Sequence, residues 1–536
     1  MGTMKPRANT GPHSSQDDVQ LALAGMGADE LRQVVHEILA ELDDRTRERL
    51  AGAILHRGAH VASGGLPAAL EDSEVAEVLA FAEAARRAGH ADPAEVDDRL
   101  RRGSDAFLRK DYGSTYQIFD ALLQPIADAD VDLGQDEMID EVLAVDAKEC
   151  ALQYVVSAYM TSEPGRRAEV VRAAIAKMGG AGYFWEPIKE MERAAVEPLP
   201  GLADFLPAWR AMVEPEAAGA RHGSWDSEAD RWLREVVRRI EGPGGLANVA
   251  RSTRRTGDLQ AWCESLIEAG EWKAALAAFE EAADIASDQV SARGGFLDGA
   301  ALAAQELGTK DVSPWLERAW RTEPTMARLC RWLGAAGSKP SFHERVVEAL
   351  RVCPPQALRQ RAFLHALQGD MKQAAELLAA APGLGWSDRD HPGHLLFPLF
   401  QALLRGGAPS RPSIGPPGGG PDVDGLELCT AEGDDEPQLT TPKIDDLLRD
   451  AGVEGASDAA VRSAVLCAMR KAAEKRVAGV TEQKRRRHYG HAASLVAACV
   501  ACDGSREMAR WAATLRKGHR RFPALCAELD RRVGCE

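Results

Sequence analysis

Four residues with metal-binding side chains crowd one stretch near the C-terminus: His488, His491, Cys499 and Cys502. Imidazole and thiolate are the usual donors of zinc sites, and CxxC is a common half-site. On one continuous helix, however, His491 and Cys499 stand about 12 Å apart, too far to share a metal whose ligands sit about 2 Å from it. Cys499 also shares an apolar stripe with Leu495 and Val496, so it reads as a small core residue. The CxxC ends a helix instead of following a strand and opening one, which excludes a thioredoxin-type redox role. A second concentration is the loop 387–394, Ser-Asp-Arg-Asp-His-Pro-Gly-His. Its Asp388, Asp390, His391 and His394 are the donor types for a divalent metal or for acid–base work. Asp388 or Asp390 is equally a natural N-cap for the apolar helix that follows, with His394 bonding exposed backbone groups, and capping accounts for the acids without a cofactor. The third group is basic: Lys484, Arg485, Arg486 and Arg487, then Lys517, Arg520 and Arg521 one helical hairpin later. Such turns suit a phosphate backbone or an acidic partner, or are simply solvated helix ends, the second offsetting its helix dipole. There is no Walker loop, GxGxxG, GxSxG or HExxH, and residues 130–136 lack the bidentate Glu of an EF-hand. The sequence therefore predicts no catalytic, cofactor-binding or metal residue, and no enzyme.

The elements that position these groups are helices. Ala, Leu, Arg and Glu recur through 536 residues, and aromatic residues are only 5%, a mix that favours helices over pleated surfaces. Apolar stripes at steps of three and four begin with Leu31, Val34, Val35, Ile38 and Leu39, and no polar–apolar alternation interrupts them. The expected fold class is all-α. Near the end, Asp458 is placed to cap a helix that Gly479 ends. A second helix spans about Glu482 to Cys502, and two more carry Met508, Trp511 and Leu515, then Phe522, Leu525 and Leu529.

The stretch from Leu259 to Ile285 joins two short helices at Ala269-Gly270, with bulky Trp262, Leu266, Trp272 and Phe279 placed to fill the space between them. It resembles the tetratricopeptide repeat: Gly270, Trp272, Ala275, Phe279 and Ala282 match that family's steps, whereas Cys263 and Ser287 depart from them. Weaker copies hold Gly103, Tyr112, Thr115 and Phe119, and Ala362, Gly369, Ala374, Leu378 and Ala381. Their spacing is not a multiple of about 34 residues, so the resemblance implies an irregular α-solenoid of divergent hairpins. The tail, from KRRRHYGHAAS onward, loosely resembles the last helices of uncharacterised bacterial proteins, some of which carry SWIM zinc fingers; the finger itself is missing here, so neither zinc nor an activity is implied.

Composition also divides the chain. Residues 1–18 read as a disordered leader, 19–405 as the helical-repeat solenoid, 406–440 as a flexible Gly/Pro/acidic linker, and 441–536 as a small C-terminal helical domain. That last segment has 19 Lys and Arg against 12 Asp and Glu, while the residues before it have 46 against 70. An acidic body does not attract nucleic acid; the basic tail keeps that partner open. No apolar run approaches the roughly 20 residues of a membrane span. The N-terminus lacks a secretory signal, Pro6 spoils a myristoylation site, and the cysteines are scattered, so a reducing cytoplasm is expected. The function these features predict is a noncatalytic protein-interaction scaffold or adaptor. A nucleic-acid-associated regulator working through the tail ranks second, and a metal-dependent enzyme centred on residues 388–394 last.

Overall fold

The computed structural model describes residues 27, 33–34, 72–134, 142–178, 184–220, 226–405, 437–453 and 458–533. The expected leader, nearly all of the helix after Asp29 and nearly all of the Gly/Pro/acidic segment lie outside them. Among the described residues there are α-helices, two short 3-10 turns and no strand; His90 and Asp132 form an isolated bridge. The all-α expectation holds for this part of the chain. Two compact units divide at Thr253 and Arg254.

The first unit holds α1 (Asp72–Ala88), α2 (Pro93–Leu108), α3 (Tyr112–Ala127), α4 (Ala147–Thr161), α5 (Arg167–Lys177), α6 (Pro187–Ala194), α7 (Leu202–Ala220) and α8 (Glu228–Thr253). Asp92, Asp111 and Asp146 start α2, α3 and α4 by accepting backbone N–H bonds with their carboxylates, each satisfying a donor the helix cannot. Helix α4 is buried around most of its circumference, with Leu152, Tyr154, Val155 and Tyr159 at its centre. It packs on α3, α5 and α6. Helix α8 breaks at Gly242, whose φ of 61° no L side chain adopts comfortably, ahead of Pro243. Glu235 of α8 caps α6 from a distance, accepting from the N–H groups of Ile188 and Lys189 at 3.2 and 2.7 Å.

The second unit begins with α9 (Thr256–Glu268), α10 (Trp272–Ile285), α11 (Val290–Glu306), α12 (Ser313–Thr322), α13 (Met326–Gly334), α14 (Lys339–Val352), α15 (Leu358–Leu367), α16 (Met371–Ala380) and α17 (Gly393–Arg405). It ends with α18 (Ile444–Asp450), α19 (Ala459–Glu482), α20 (Tyr489–Asp503), α21 (Arg506–Gly518) and α22 (Pro523–Val533). From α9 to α17, each helix through α16 packs on the next, and α17 packs on α15 and α16.

The three helix pairs singled out by residue spacing, α2–α3, α9–α10 and α15–α16, are hairpins with one shared turn. The middle residue of each three-residue loop is left-handed: Lys110 (φ 66°), Gly270 (φ 68°) and Gly369 (φ 78°). In each, that residue's N–H bonds back three residues, at 2.8–3.0 Å, and the next N–H bonds back five, at 2.9 Å. This is the Schellman closure, which satisfies the last carbonyls of the first helix. Gly103 fits the ring of Phe119 in the first hairpin, where a Cβ would come within 2.6 Å of it. In the second hairpin Phe279 reaches beyond its own pair to Gly299 of α11, a Cβ there meeting its ring at 2.3 Å.

One expectation needs correction. Trp262 and Phe279 are buried, but Trp272 is only partly so, because it opens α10 at the turn and not along its inner stripe. Phe279→Ala is therefore expected to cost about 3–5 kcal/mol and Trp272→Ala no more than about 1.5 kcal/mol. Urea unfolding of the two variants checks the difference, and equal losses would contradict the packing described.

The domain division also differs from expectation. Residues 437–533 do not stand apart from the helices before them. They share one compact unit with residues 254–405 and one continuous hydrophobic core, in which Leu396, Phe397, Phe400, Leu447, Leu448, Val465, Met469, Val477, Leu495 and Val496 all take part. The apolar face of α19 packs on α16 and α17, and composition along the chain carries no trace of that pairing.

Candidate functional site

The loop 382–392 between α16 and α17 is fastened to α19 by backbone proximity. A Cβ on Gly383 would lie 2.0 Å from the carbonyl oxygen of Lys475, so no residue but glycine fits the observed approach. Lys475 donates through Nζ to the carbonyls of Ala379, Ala380 and Ala381 at 2.8–3.1 Å, closing the C-terminus of α16. Its neighbour Arg476 is buried and donates to the Gly383 carbonyl at 3.4 Å.

Seated in this way, the loop places Trp386 at the centre of three imidazoles. Ring centroids lie 4.9 Å away for His391, 5.8 Å for His394 and 5.0 Å for His491. His394 and His491 stack on each other at 5.8 Å, and the Arg476 guanidinium lies 6.0 Å from the indole. The sequence had shown two separate groups, the 388–394 loop and the 488–502 helix. The structure joins them through His391, His394 and His491.

Asp388 and Asp390 play other parts than the capping expected of them. It is His391 that serves the start of α17: its Nδ1 accepts the Gly393 N–H at 3.0 Å, and its Nε2 donates to the Pro382 carbonyl at 3.0 Å. An imidazole two residues before the helix reaches that N–H more directly than the earlier carboxylates. Asp390 contributes its carbonyl, which accepts from the N–H of Arg359 at 3.0 Å, and the Asp388 carboxylate folds over Gly385.

With both nitrogens engaged, His391 is a neutral imidazole, and burial holds it below the usual histidine range. His491 is pushed down to about 3, first by burial and then by Arg476, His394, His488 and His391. Burial and the Arg485 charge lower even Arg476, to about 10. At neutral pH His391 and His491 are neutral rings, and His491 is far too weak a base to trade protons there. Among the described residues no group of His, Cys, Asp or Glu has the arrangement to hold a metal ion. Cys499 is fully buried and its thiol is pushed well above the usual range by burial, so it stays protonated. Cys502 points its thiol at the Gln401 carbonyl, 4.0 Å away.

Both basic turns are exposed at Lys484, Arg485, Arg486, Arg487, Lys517, Arg520 and Arg521. Helix α19 runs through Gly479, which packs on Leu384, and ends instead in a left-handed turn at Lys484 (φ 52°). The two turns are neighbours, since Tyr489 directly after the first meets Phe522 directly after the second at 6.4 Å. Arg521 lies over Phe522 at 5.1 Å. Arg487 donates from Nε to His488 Nε2 at 3.2 Å.

Sequence reasoning missed Trp386, Arg476, Lys475 and the need for Gly383. The GLGW run reads locally as a turn, and nothing in it reveals a helix backbone 90 residues later in the chain.

No protein-family model matches the chain, and no curated protein matches it.

Proposed function

We propose that the protein is a noncatalytic interaction scaffold built from divergent tetratricopeptide-like helical hairpins, irregular enough to lack a fixed repeat length. The observation that carries the reading is the shared turn of the three hairpins at Lys110, Gly270 and Gly369. It falls at the positions where the tetratricopeptide-like spacing had been read, and the packing of each helix on its chain neighbours supports it further. Stacked hairpins present long surfaces to other polypeptides, and the imidazole cluster is engaged in packing around Trp386. A reducing cytoplasm is the compartment in which buried free cysteines such as Cys150, Cys263 and Cys353 fit best.

The adjacency of the two basic turns favours a second reading, a nucleic-acid-associated regulator. One experiment separates them. Full-length protein is titrated with a generic duplex across a salt series, beside a variant with Lys484, Arg485, Arg486 and Arg487 changed to Ala. The scaffold reading expects little binding at physiological ionic strength, where the Debye length is about 8 Å, and recovery of a stoichiometric protein partner from the native host. Submicromolar binding that falls steeply with salt, and that the four substitutions weaken for every sequence alike, would put the regulator first.

A further inference from the structure

After the Gly/Pro/acidic segment the chain enters the second unit as an extended strap, residues 437–443, before α18 begins. The strap is gripped by side chains of α11 and α13. Gln305 reads its backbone at two points: Nε2 donates to the Gln438 carbonyl at 3.0 Å, and Oε1 accepts from the Thr440 N–H at 3.1 Å. Between those points Leu439 packs against the hydrophobic core. Arg331 donates from Nε to the Thr441 hydroxyl at 2.7 Å, and that hydroxyl donates to the Leu439 carbonyl at 3.3 Å. Asp298 aims Arg331 from 3.6 Å. Pro442 sits on Gly334, where a Cβ would come within 2.2 Å of its ring.

These four features are the parts of a peptide-recognition site. A carboxamide that both donates to and accepts from one extended backbone fixes direction and register whatever the side chains, while pockets for alternate residues give specificity. Here the specificity elements are an apolar slot for Leu, a guanidinium N–H for a hydroxyl, and a glycine seat for Pro. A plain connection into α18 needs none of this, because Gln438 and Thr440 are exposed and water satisfies exposed backbone groups.

We propose that the α11–α13 groove is a binding site for an extended Leu-Thr-Thr-Pro-type segment of a partner protein, and that residues 438–442 occupy it in cis as a pseudo-ligand. The strap runs without a break into α18, whose Leu447 and Leu448 are buried in the core; so held, the cis occupant has a high effective concentration, and a modest intrinsic affinity keeps the groove filled until a partner competes. The identity of the partner as a protein rests on the scaffold reading; the ability of the groove to take peptide in trans does not.

The test uses the full-length chain with its own strap disabled by Leu439→Asp, Thr441→Ala and Pro442→Asp. A fluorescein-labelled peptide of residues 437–443 is titrated against it by anisotropy. The disabled chain is expected to bind at least about tenfold more tightly than the wild type, whose groove is occupied. Adding Gln305→Ala is expected to weaken that binding about tenfold by removing two hydrogen bonds, and a peptide with Asp for Leu439 is expected not to bind. If the triple substitution unfolds the chain, replacing residues 437–442 by a Gly-Ser stretch of equal length provides the empty groove. Unfolding of both chains overturns the proposal, because a groove that collapses without its strap has no exchangeable occupant. A folded disabled chain that ignores the peptide at about millimolar concentration overturns it too, and leaves the scaffold reading intact. Peptide binding together with failure to recover any protein partner would sink the scaffold reading instead.

Discussion

Ending the chain at Arg405 is expected to abolish cooperative folding of residues 254–405. Truncation removes α19 and α20 from the faces of α16 and α17, and with them Leu447 and Leu448 of α18. Leu396, Phe397, Phe400 and Leu403, almost fully buried in the intact chain, then lie on or next to an uncovered surface. Uncovering a Leu or Phe side chain costs about 1.5–3 kcal/mol, and a domain holds only about 5–15 kcal/mol in reserve. Three or four such residues exhaust that margin. The α16 carbonyls of Ala379, Ala380 and Ala381 also lose Lys475. Circular dichroism with urea unfolding measures the outcome; a truncated chain with an unchanged, sharp transition would show that the shared core adds nothing. A cut inside residues 406–436, made through an engineered protease site, should behave differently. It spares the core, so the two fragments are expected to remain together on size exclusion. Fragments that part spontaneously would restore the independent C-terminal domain that composition suggested.

The contrast shows which information was local. Helix type was legible because the stripe of Val461, Val465 and Ala468, or of Leu525 and Leu529, needs only neighbours three and four residues away. Asp458 was legible as a cap for the same reason, and it does accept from the Ala460 N–H at 2.8 Å. The hairpin turns were marked by Gly270 and Gly369, and at Lys110 the same turn forms without glycine. What could not be read was the partner of each apolar face. The Gly383–Lys475 approach, the stacking of His394 on His491 and the grip of Gln305 on the strap all join positions about 90 to 135 residues apart. The 388–394 loop attracted notice for the right residue types, yet its chemistry depends on α20, and proximity turned a list of donors into a set of packed rings. Gly479 misled in the opposite sense: it serves close packing against Leu384 inside a helix, where a glycine ordinarily marks an end.

The buried imidazole of His491 is expected to make the second unit acid-labile, and the expected size is large. His491 is held at about 3 in the folded chain, against about 6.5 for an unfolded histidine. Its folded form therefore resists the proton that the unfolded chain accepts. The stability it contributes is complete above about pH 6.5 and is lost progressively as pH falls from there toward 3. Each pH unit inside that window costs about 1.4 kcal/mol, so the step from pH 6.5 to 5 removes about 2 kcal/mol through His491 alone. The groups facing it are Arg476, His488, His391 and His394, every one a cation or a potential one, so no neighbour in this set relieves the incoming charge. Burial lowers His391, His365 and His488 in the same direction. The first unit carries the reverse case. Burial raises Glu235 to about 7 against the pull of its two backbone donors and Arg239. A raised carboxyl contributes its stability fully below about pH 4.5, and that contribution is lost as pH rises through 7. Hydrogen exchange of the full-length protein at pH 6.5 and 5, corrected for intrinsic rates, should show α19 and α20 losing protection while α6 and α8 hold theirs or gain. In His491→Phe, which keeps an aromatic ring against Trp386, the acid-induced loss in α19 and α20 is expected to shrink by about 2 kcal/mol. The same loss in that variant as in the wild type would mean that His491 already carries its proton in the folded state, and that the cluster around Trp386 accommodates charge.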